Sequence, residues 1–446
     1  MMPNDISTLE FREVGSLPAF DAIGDGELFA ISLSNNTATF THGLHRFPAK
    51  YIPQIPAWAL DSFGTRDTVC LDPFMGSGTT LVESVLRGGT GIGVDIDPLA
   101  RFIARAKITP VDHERIRALG ADIDGRWAAA AEPRAPMPDI GNFEHWFAPP
   151  QWAKLQGLHD TILGLPASPA EQDFLLTVFS SCLRWVSNAD NQSQKTYVSG
   201  TLPKTPPPCE EVFWRFLDRA ATGLADLNRK RHSEAAVVIP DDADATRLGL
   251  ADDSVDLAVT SPPYVDSVDY PYNMMLEYFW LGPRLGVDDR KAFNRLRRAP
   301  IGAKNPDAAA DLPGAVRDVV DLDRVGSGRR AAVAHYFSLM GRHFDEMARC
   351  MKDGARYVFV VGNSQTRSNP LPVHEALIRQ AAESGLVLER SFGYRVRRHY
   401  MKFPRAGRGG IILVDWVLVL RKQAGATAVQ PRRLPWVTLP PGSVAH

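Results

Sequence analysis

Compact apolar runs alternate with amphipathic stretches along the first hundred residues. TVCLDPF (68–74) is a short apolar run closed by Pro73 and Gly76, the pattern of a buried strand that ends in a turn. TTLVESVLRG (79–88) has helical spacing and stops at Gly88. TGIGVDIDP (90–98) predicts a second strand. PLARFIARAKI (98–108) predicts a helix with proline at its start, where no N–H is needed. Ahead of them, FPAKYIPQIPAWALDSF (47–63) runs from a loop into an amphipathic helix, and residues 1–40 read as an irregular lead-in with room for one short strand pair. The strand–helix–strand–helix order opens a doubly wound parallel sheet.

The alternation then breaks. Residues 111–233 carry helical spacing in AEQDFLLTVFSSCLRWVS and CEEVFWRFLDRAATGLADLNRKR, separated by the polar, proline-rich loop NADNQSQKTYVSGTLPKTPPP. Strands resume at AAVVIPDDADA and VDLAVTSPPY, and a second interruption over 283–330 is rich in Arg, Asp, Pro and Gly with little periodicity. The helix AAVAHYFSLMGRHFDEMARCM, the strand ARYVFVVGNS and the helix VHEALIRQAAESG follow, and VLERSFGYRVRR with GGIILVDWVLVLRK predicts a closing strand pair around a basic loop. The chain thus divides into a lead-in (1–40), a first half-sheet (41–110), a helical insertion (111–233), a second strand segment (234–282), a basic insertion (283–330), the remainder of the sheet domain (331–422) and a proline-rich tail (423–446) expected to be disordered. There are no internal repeats.

Composition narrows the classes. At 446 residues, 44% hydrophobic and 23% charged, the chain has an ordinary globular balance. Its net charge of −1 argues against bulk attraction to polyanions, although basic clusters occur at Arg229–Arg231, over 290–298 and over 395–408. The four cysteines, Cys70, Cys182, Cys209 and Cys350, form no CxxC pair, so neither a disulfide framework nor a metal is expected. No apolar run approaches the roughly 20 residues that cross a bilayer. No signal-peptide pattern opens the chain, and a cytoplasmic protein without membrane contact is expected.

Chemistry concentrates in two turns. Asp72-Pro73-Phe74-Met75-Gly76-Ser77-Gly78-Thr79-Thr80 lies between a strand and a helix, where glycines permit a tight turn and close approach to a ligand. No Gly-Lys-Ser/Thr follows, so it is not a phosphate-binding P-loop. About 20 residues on, at the place where nucleotide-binding βαβ units hold a ribose, stands Asp95; Asp97 suits a helix cap. The pair points to an adenosine-containing cofactor and leaves dinucleotide and S-adenosylmethionine both open. Thr260-Ser261-Pro262-Pro263-Tyr264 follows the strand VDLAV at the carboxyl end of the sheet. Its two prolines lack N–H donors and leave rigid carbonyl acceptors, suited to an NH₂ group, and Tyr264 offers a face for an extruded base.

Together these segments resemble the amino-group DNA methyltransferases, which make N4-methylcytosine or N6-methyladenine. DPFMGSGTT is similar to their cofactor motif at Asp72, Phe74, Gly76, Gly78 and Thr79, and GVDIDP to their ribose-binding segment at Asp95. DADATRLGLADDSVDLAV resembles the segment before the catalytic strand, where Asp244 would face adenine. TSPPY resembles the catalytic motif, with Ser261, Pro262, Pro263 and Tyr264 at its positions. HGLHRFPAKYIP resembles the segment that closes over the methionine end, with Phe47 and Lys50 as contacts. The resemblance implies a class I methyltransferase fold, Rossmann-like and mostly parallel with an antiparallel last strand, elaborated by two insertions. It implies S-adenosylmethionine as cofactor and double-stranded DNA as partner. Ser at the head of PPY is typical of the cytosine-N4 enzymes, and Asp or Asn of many adenine enzymes.

Adenine N6, an RNA base amine and a non-catalytic nucleic-acid-binding subunit remain the alternatives. A cytosine-C5 mechanism would need an attacking thiolate, and the Pro208-Cys209 pair lies in the insertion instead of after a sheet strand. Target reading falls to the insertions. The first offers Trp146, Trp152, Trp185, Tyr197 and the SQKTYVSGTLPK loop, most of those aromatics being expected in a helical core. The second offers Arg297 and Arg298 for phosphate contacts, and the basic loop adds Arg397, Arg398 and Lys402. No nuclease motif occurs, so any restriction or defence activity would belong to a separate chain.

Overall fold

The sheet anticipated from the alternation holds nine strands among the described residues. In chain order they are β1 (Arg12–Val14), β2 (Glu27–Ile31), β3 (Val69–Asp72), β4 (Thr90–Gly93), β5 (Ala236–Val238), β6 (Val255–Thr260), β7 (Met351–Gly362), β8 (Leu386–Arg395) and β9 (Val414–Lys422). Across the sheet they run β1-β2-β8-β9-β7-β6-β3-β4-β5. Neighbours are parallel except around β9, which runs against both β7 and β8. This is a Rossmann-like, mostly parallel sheet whose last strand runs antiparallel, as anticipated from the sequence, with two strands added at one edge. The computed structural model describes residues 9–32, 39–132, 134, 137, 142–191, 193, 195–265, 269–303, 310–362, 364–366, 369–396, 411–412, 414–423 and 438–439.

One segment differs from expectation. The lead-in is part of the sheet: Glu27–Ile31 carries four buried residues in a row and pairs with β8, while β1 pairs with β2. Leu28–Ile31 is a short apolar run, and burial on both faces is what such a run requires. Of the tail, Thr438–Leu439 is among the described residues and pairs antiparallel with Ile411–Ile412.

Fourteen helices occur among the described residues: α1 (Gln54–Phe63), α2 (Thr79–Arg87), α3 (Pro98–Ile108), α4 (His113–Arg126), α5 (Phe143–Trp146), α6 (Pro149–Leu163), α7 (Pro169–Val186), α8 (Cys209–Lys230), α9 (Tyr270–Asn273), α10 (Met275–Leu281), α11 (Arg290–Leu296), α12 (Gly314–Arg317), α13 (Arg330–Cys350) and α14 (Val373–Glu383). Side chains alternate across the sheet. Cys70, Leu257, Val259, Val358, Val417 and Val419 pack with Ile55, Trp58 and Leu60 of α1. Leu71, Ala258, Tyr357, Phe359, Trp416 and Leu418 pack with α13 and α14 on the other face. Each fully buried Val, Leu or Phe among them contributes roughly 1.5–3 kcal/mol, and burial on both faces is why these strands read as near-continuous apolar runs.

The insertion over 111–233 joins this framework through a shared core. Leu99, Phe102 and Ile103 of α3, together with Phe279 and Trp280 of α10, pack with α4, α6, α7 and α8. Local signals set these helices: Ser168 and Glu171 form a capping box at α7, and Pro169 occupies its first turn. Trp146 is buried and Trp152 packs against the same core, whereas Trp185 and Tyr197 are 44% and 39% exposed. No helix among the described residues is long and apolar enough to cross a membrane.

Candidate active site

Parallel register brings the carboxyl ends of β3, β4 and β6 to one edge: Leu71 lies opposite Ile92 and Ala258, and Asp72 opposite Gly93. The chain leaves β3 through Gly76 and Gly78, at φ +49° and +79°. Gly78 precedes α2 in the left-handed region, and a Cβ there would come within 3.0 Å of the Ala104 side chain. Gly78→Ala is therefore expected to cost about 1–2 kcal/mol of stability from the left-handed backbone alone, read by urea denaturation.

A cavity of about 370 Å³ opens at this edge. Phe47, Lys50, Phe74, Gly76, Thr79, Asp95, Asp244, Ser261 and Pro263 all line it. Segments from five separate regions of the sequence thus converge on one space. The Phe47 ring lies over the glycine loop, where a Cβ on Gly76 would meet it at 3.3 Å. Phe74 is held against the His343 ring at 4.8 Å, and His343 is itself fixed by the Ala245 carbonyl and the Tyr357 hydroxyl, each at 2.8 Å.

Asp95 ties the glycine loop to the turn before α3. One carboxylate oxygen accepts the Gly76 amide and the other the Asp97 amide, both at 2.9 Å. Burial first, then the neighbouring Asp97 charge, pushes its carboxyl up to about 7. Asp97 caps α3 through the Leu99 and Ala100 amides, as its position before Pro98 suggested. Asp244 accepts from the Thr246 amide at 2.7 Å and from the Thr246 hydroxyl at 2.6 Å within a tight turn at the cavity wall.

Asp72 and Gly78 are not in the lining; they lie beneath it. The Asp72 carboxylate is 0% exposed and accepts from Thr80 and Thr260 at 2.5 Å each and from the Phe74 amide at 3.2 Å. Burial pushes it up to about 6 against the pull of those donors. It ties the glycine loop, α2 and the end of β6 together, directly below the two turns.

At the second turn Pro262 is buried and Tyr264 is half-buried. Among the described residues the Ser261 hydroxyl has no protein partner, so it is available to a ligand. The Asp415 carboxylate, ahead of burial, holds the Tyr264 hydroxyl well above its ordinary range. The basic insertion returns over this turn: Gly302 (φ +88°) sits so close that a Cβ would meet the Tyr264 carbonyl at 2.6 Å. Ala299, Pro300 and Ile301 line the cavity beside it, as do Tyr51, Ser77, Tyr270 and Leu339. The sequence held no signal for the 299–301 segment, because its role depends on a long-range return. Tyr270, in the aromatic run Tyr270-Pro271-Tyr272 soon after the proline turn, had a local one.

Arg297 is committed within the protein. It donates to Asp269 at 2.7 Å, and its guanidinium lies 5.1 Å from the centre of the Tyr272 ring. Arg298 is exposed at the end of α11, while Arg397, Arg398 and Lys402 lie outside the described residues. Cys209 is fully buried at the start of α8, outside the cavity lining, and burial pushes its thiol up to about 12. A nucleophilic thiolate needs the opposite shift.

No family model matches the chain. Type II methyltransferase M.MvaI of Kocuria varians is 25% identical over 388 residues, covering 78% of this chain and 83% of the relative. Type II methyltransferase M.BsoBI of Geobacillus stearothermophilus is 22% identical over 408 residues, covering 77% of this chain and 78% of the relative. A shorter match, 37% identical over 82 residues, covers 18% of this chain and 16% of type II methyltransferase M.MjaII of Methanocaldococcus jannaschii. The relatives similar over most of the chain are type II methyltransferases.

Proposed function

We propose that the chain is an S-adenosylmethionine-dependent DNA methyltransferase acting on an exocyclic base amine, with cytosine N4 as its target. One observation carries this reading: Ser261 and Pro263 of the proline turn line the same cavity as Phe74, Gly76 and Asp95 of the glycine-loop half. Similarity to type II methyltransferases over most of the chain supports methyl transfer.

The cavity's donor and acceptor set fits that cofactor. Asp95 would accept from the ribose hydroxyls and Asp244 from the adenine amine, while Phe74, Ile301 and Leu339 supply apolar walls. Phe47 and Lys50 close the methionine end. Bound there, S-adenosylmethionine supplies an electrophilic methyl group carried on a sulfonium. The chain's own part is to make a poor nucleophile attack. A base amine has its lone pair spread into the ring; Ser261 and the Pro262 carbonyl would accept its hydrogens and draw the nitrogen toward tetrahedral geometry. Two consecutive prolines hold these acceptors rigid, so positioning supplies much of the rate. Tyr264 would stack the extruded base. Arg298 and the basic loop would contact phosphates, which orient the duplex without reading it.

The acceptor class is tested by offering labelled S-adenosylmethionine with mixed-sequence duplex DNA, RNA and a protein mixture in parallel. Label entering duplex DNA alone is the expected result. Label in RNA or protein, with none in DNA, overturns the acceptor assignment.

A further inference from the structure

The antiparallel strand brings an acid to the proline turn. Asp415, near the start of β9, lies opposite Gly362 of β7 and Tyr394 of β8. On β7, Phe359 already lies opposite Thr260, the last residue of β6. Gly362 and Asp415 therefore stand beyond the end of β6, at the edge from which Ser261–Tyr264 leaves the sheet. One carboxylate oxygen, Asp415 Oδ2, accepts the Tyr394 hydroxyl at 3.2 Å. The other, Oδ1, is shielded from solvent and has no donor among the described residues. Burial pushes this carboxyl up to about 6, against the pull of Tyr394.

Tyr264 is its complement. The backbone of Tyr264 is pinned on two sides: its amide donates to the Tyr270 hydroxyl, and Gly302 crosses its carbonyl, where a Cβ would also meet the Tyr336 ring at 3.6 Å. The Tyr264 hydroxyl, by contrast, makes no hydrogen bond among the described residues, although the Asp415 charge is the strongest influence on it. A donor without an acceptor thus stands beside a shielded acceptor without a donor, and a buried polar group left unpaired is unfavourable. The titratable groups that face Asp415 are Tyr394 and Tyr264. Burial and the Asp415 charge push the first up, the Asp415 charge and burial the second, so both keep their hydrogens at neutral pH.

We propose that Asp415 positions the extruded base through Tyr264: when the base stacks on the Tyr264 ring, the Tyr264 hydroxyl donates to Asp415 Oδ1, and the sheet thereby fixes the ring against which the amine is presented to Ser261. Asp415 is a positioning residue and touches neither base nor cofactor. The proposal rests on the base-amine reading above.

Single-turnover methyl transfer to mixed-sequence duplex DNA, at saturating S-adenosylmethionine, is compared for the full chain, Asp415→Asn, Tyr264→Phe and the double variant. Calorimetry with S-adenosylhomocysteine, expected to bind all four alike, shows that the cavity is folded. Each single substitution removes one side of a hydrogen bond to a charged acceptor and is expected to slow transfer by about tenfold to a hundredfold. The double variant should be no slower than the worse single one, because both act on the same bond. The wild-type rate should also fall as pH drops through about 6, where Asp415 takes up a proton, and Asp415→Asn should lack that fall. Asp72, which titrates in the same range, is common to both chains, so the difference between the profiles belongs to Asp415. Should Asp415→Asn fail to bind S-adenosylhomocysteine, Tyr264→Phe carries the test, since without its hydroxyl the same fall disappears. An Asp415→Asn rate within twofold of wild type, losses that multiply in the double variant, or an acid fall unchanged in both single variants overturns the proposal. A wild-type chain that methylates no base amine overturns the reading on which it rests, a result distinct from these.

Discussion

Ser261→Ala is expected to lower the rate of methyl transfer by about a hundredfold, the scale at which misplacement of a reacting group acts, while cofactor affinity changes less than about twofold. Ser261 lines the cavity and its hydroxyl has no protein partner among the described residues, so its removal strands no buried donor. Stability should therefore stay within about 0.5 kcal/mol of wild type. What is lost is an acceptor for the amine at the moment its nitrogen becomes tetrahedral, a contribution felt in the transition state more than in the bound state. Single-turnover kinetics alongside a cofactor titration separates the two. A variant with normal single-turnover rate and weakened cofactor binding would place Ser261 at the cofactor instead of the amine.

Asp95→Asn is expected to act on the other half of the cavity. The carboxylate holds the Gly76 and Asp97 amides at 2.9 Å each and faces the space assigned to the ribose. Hydrogen bonds to a charged acceptor contribute about 1.5–3 kcal/mol, so cofactor affinity should fall about tenfold to a hundredfold. A pH signature accompanies the loss. Burial, reinforced by Asp97, holds the Asp95 carboxyl up at about 7 in the free protein. Only the ionised form accepts from both ribose hydroxyls, so cofactor binding favours ionisation and releases a proton near neutrality. Wild-type affinity should accordingly weaken as pH falls through about 7, and Asp95→Asn should lose that dependence. Calorimetry in buffers of different ionisation enthalpy reads both.

Much of the fold was legible because its signals are local. The apolar run before Pro73, the Asp97-Pro98 cap and the apolar run VDLAV before the proline turn each specify an element from neighbouring residues. The two turns were legible for the same reason, and the structure places them on one cavity. What the sequence withheld depends on distance along the chain. Glu27–Ile31 is a strand because β8, more than 350 residues later, offers it an edge. Ala299–Ile301 lines the cavity because Gly302 allows the backbone to cross Tyr264. Asp72 matched the cofactor motif by position, yet its carboxylate is consumed by Thr80, Thr260 and the Phe74 amide below the cavity. Lys107, buried at the end of α3, donates to Ser77 Oγ, a contact that no local signal announced. Arg297 shows the converse: a basic residue in a basic stretch, committed to Asp269 and Tyr272.

The most direct measurement is nucleoside mass spectrometry of mixed-sequence duplex DNA incubated with the full chain and isotopically labelled S-adenosylmethionine. Labelled N4-methylcytosine is the result this account predicts. Labelled N6-methyladenine would keep the cavity and its chemistry but contradict the assignment drawn from Ser261, and labelled C5-methylcytosine, or no labelled nucleoside at all, would contradict the account as a whole.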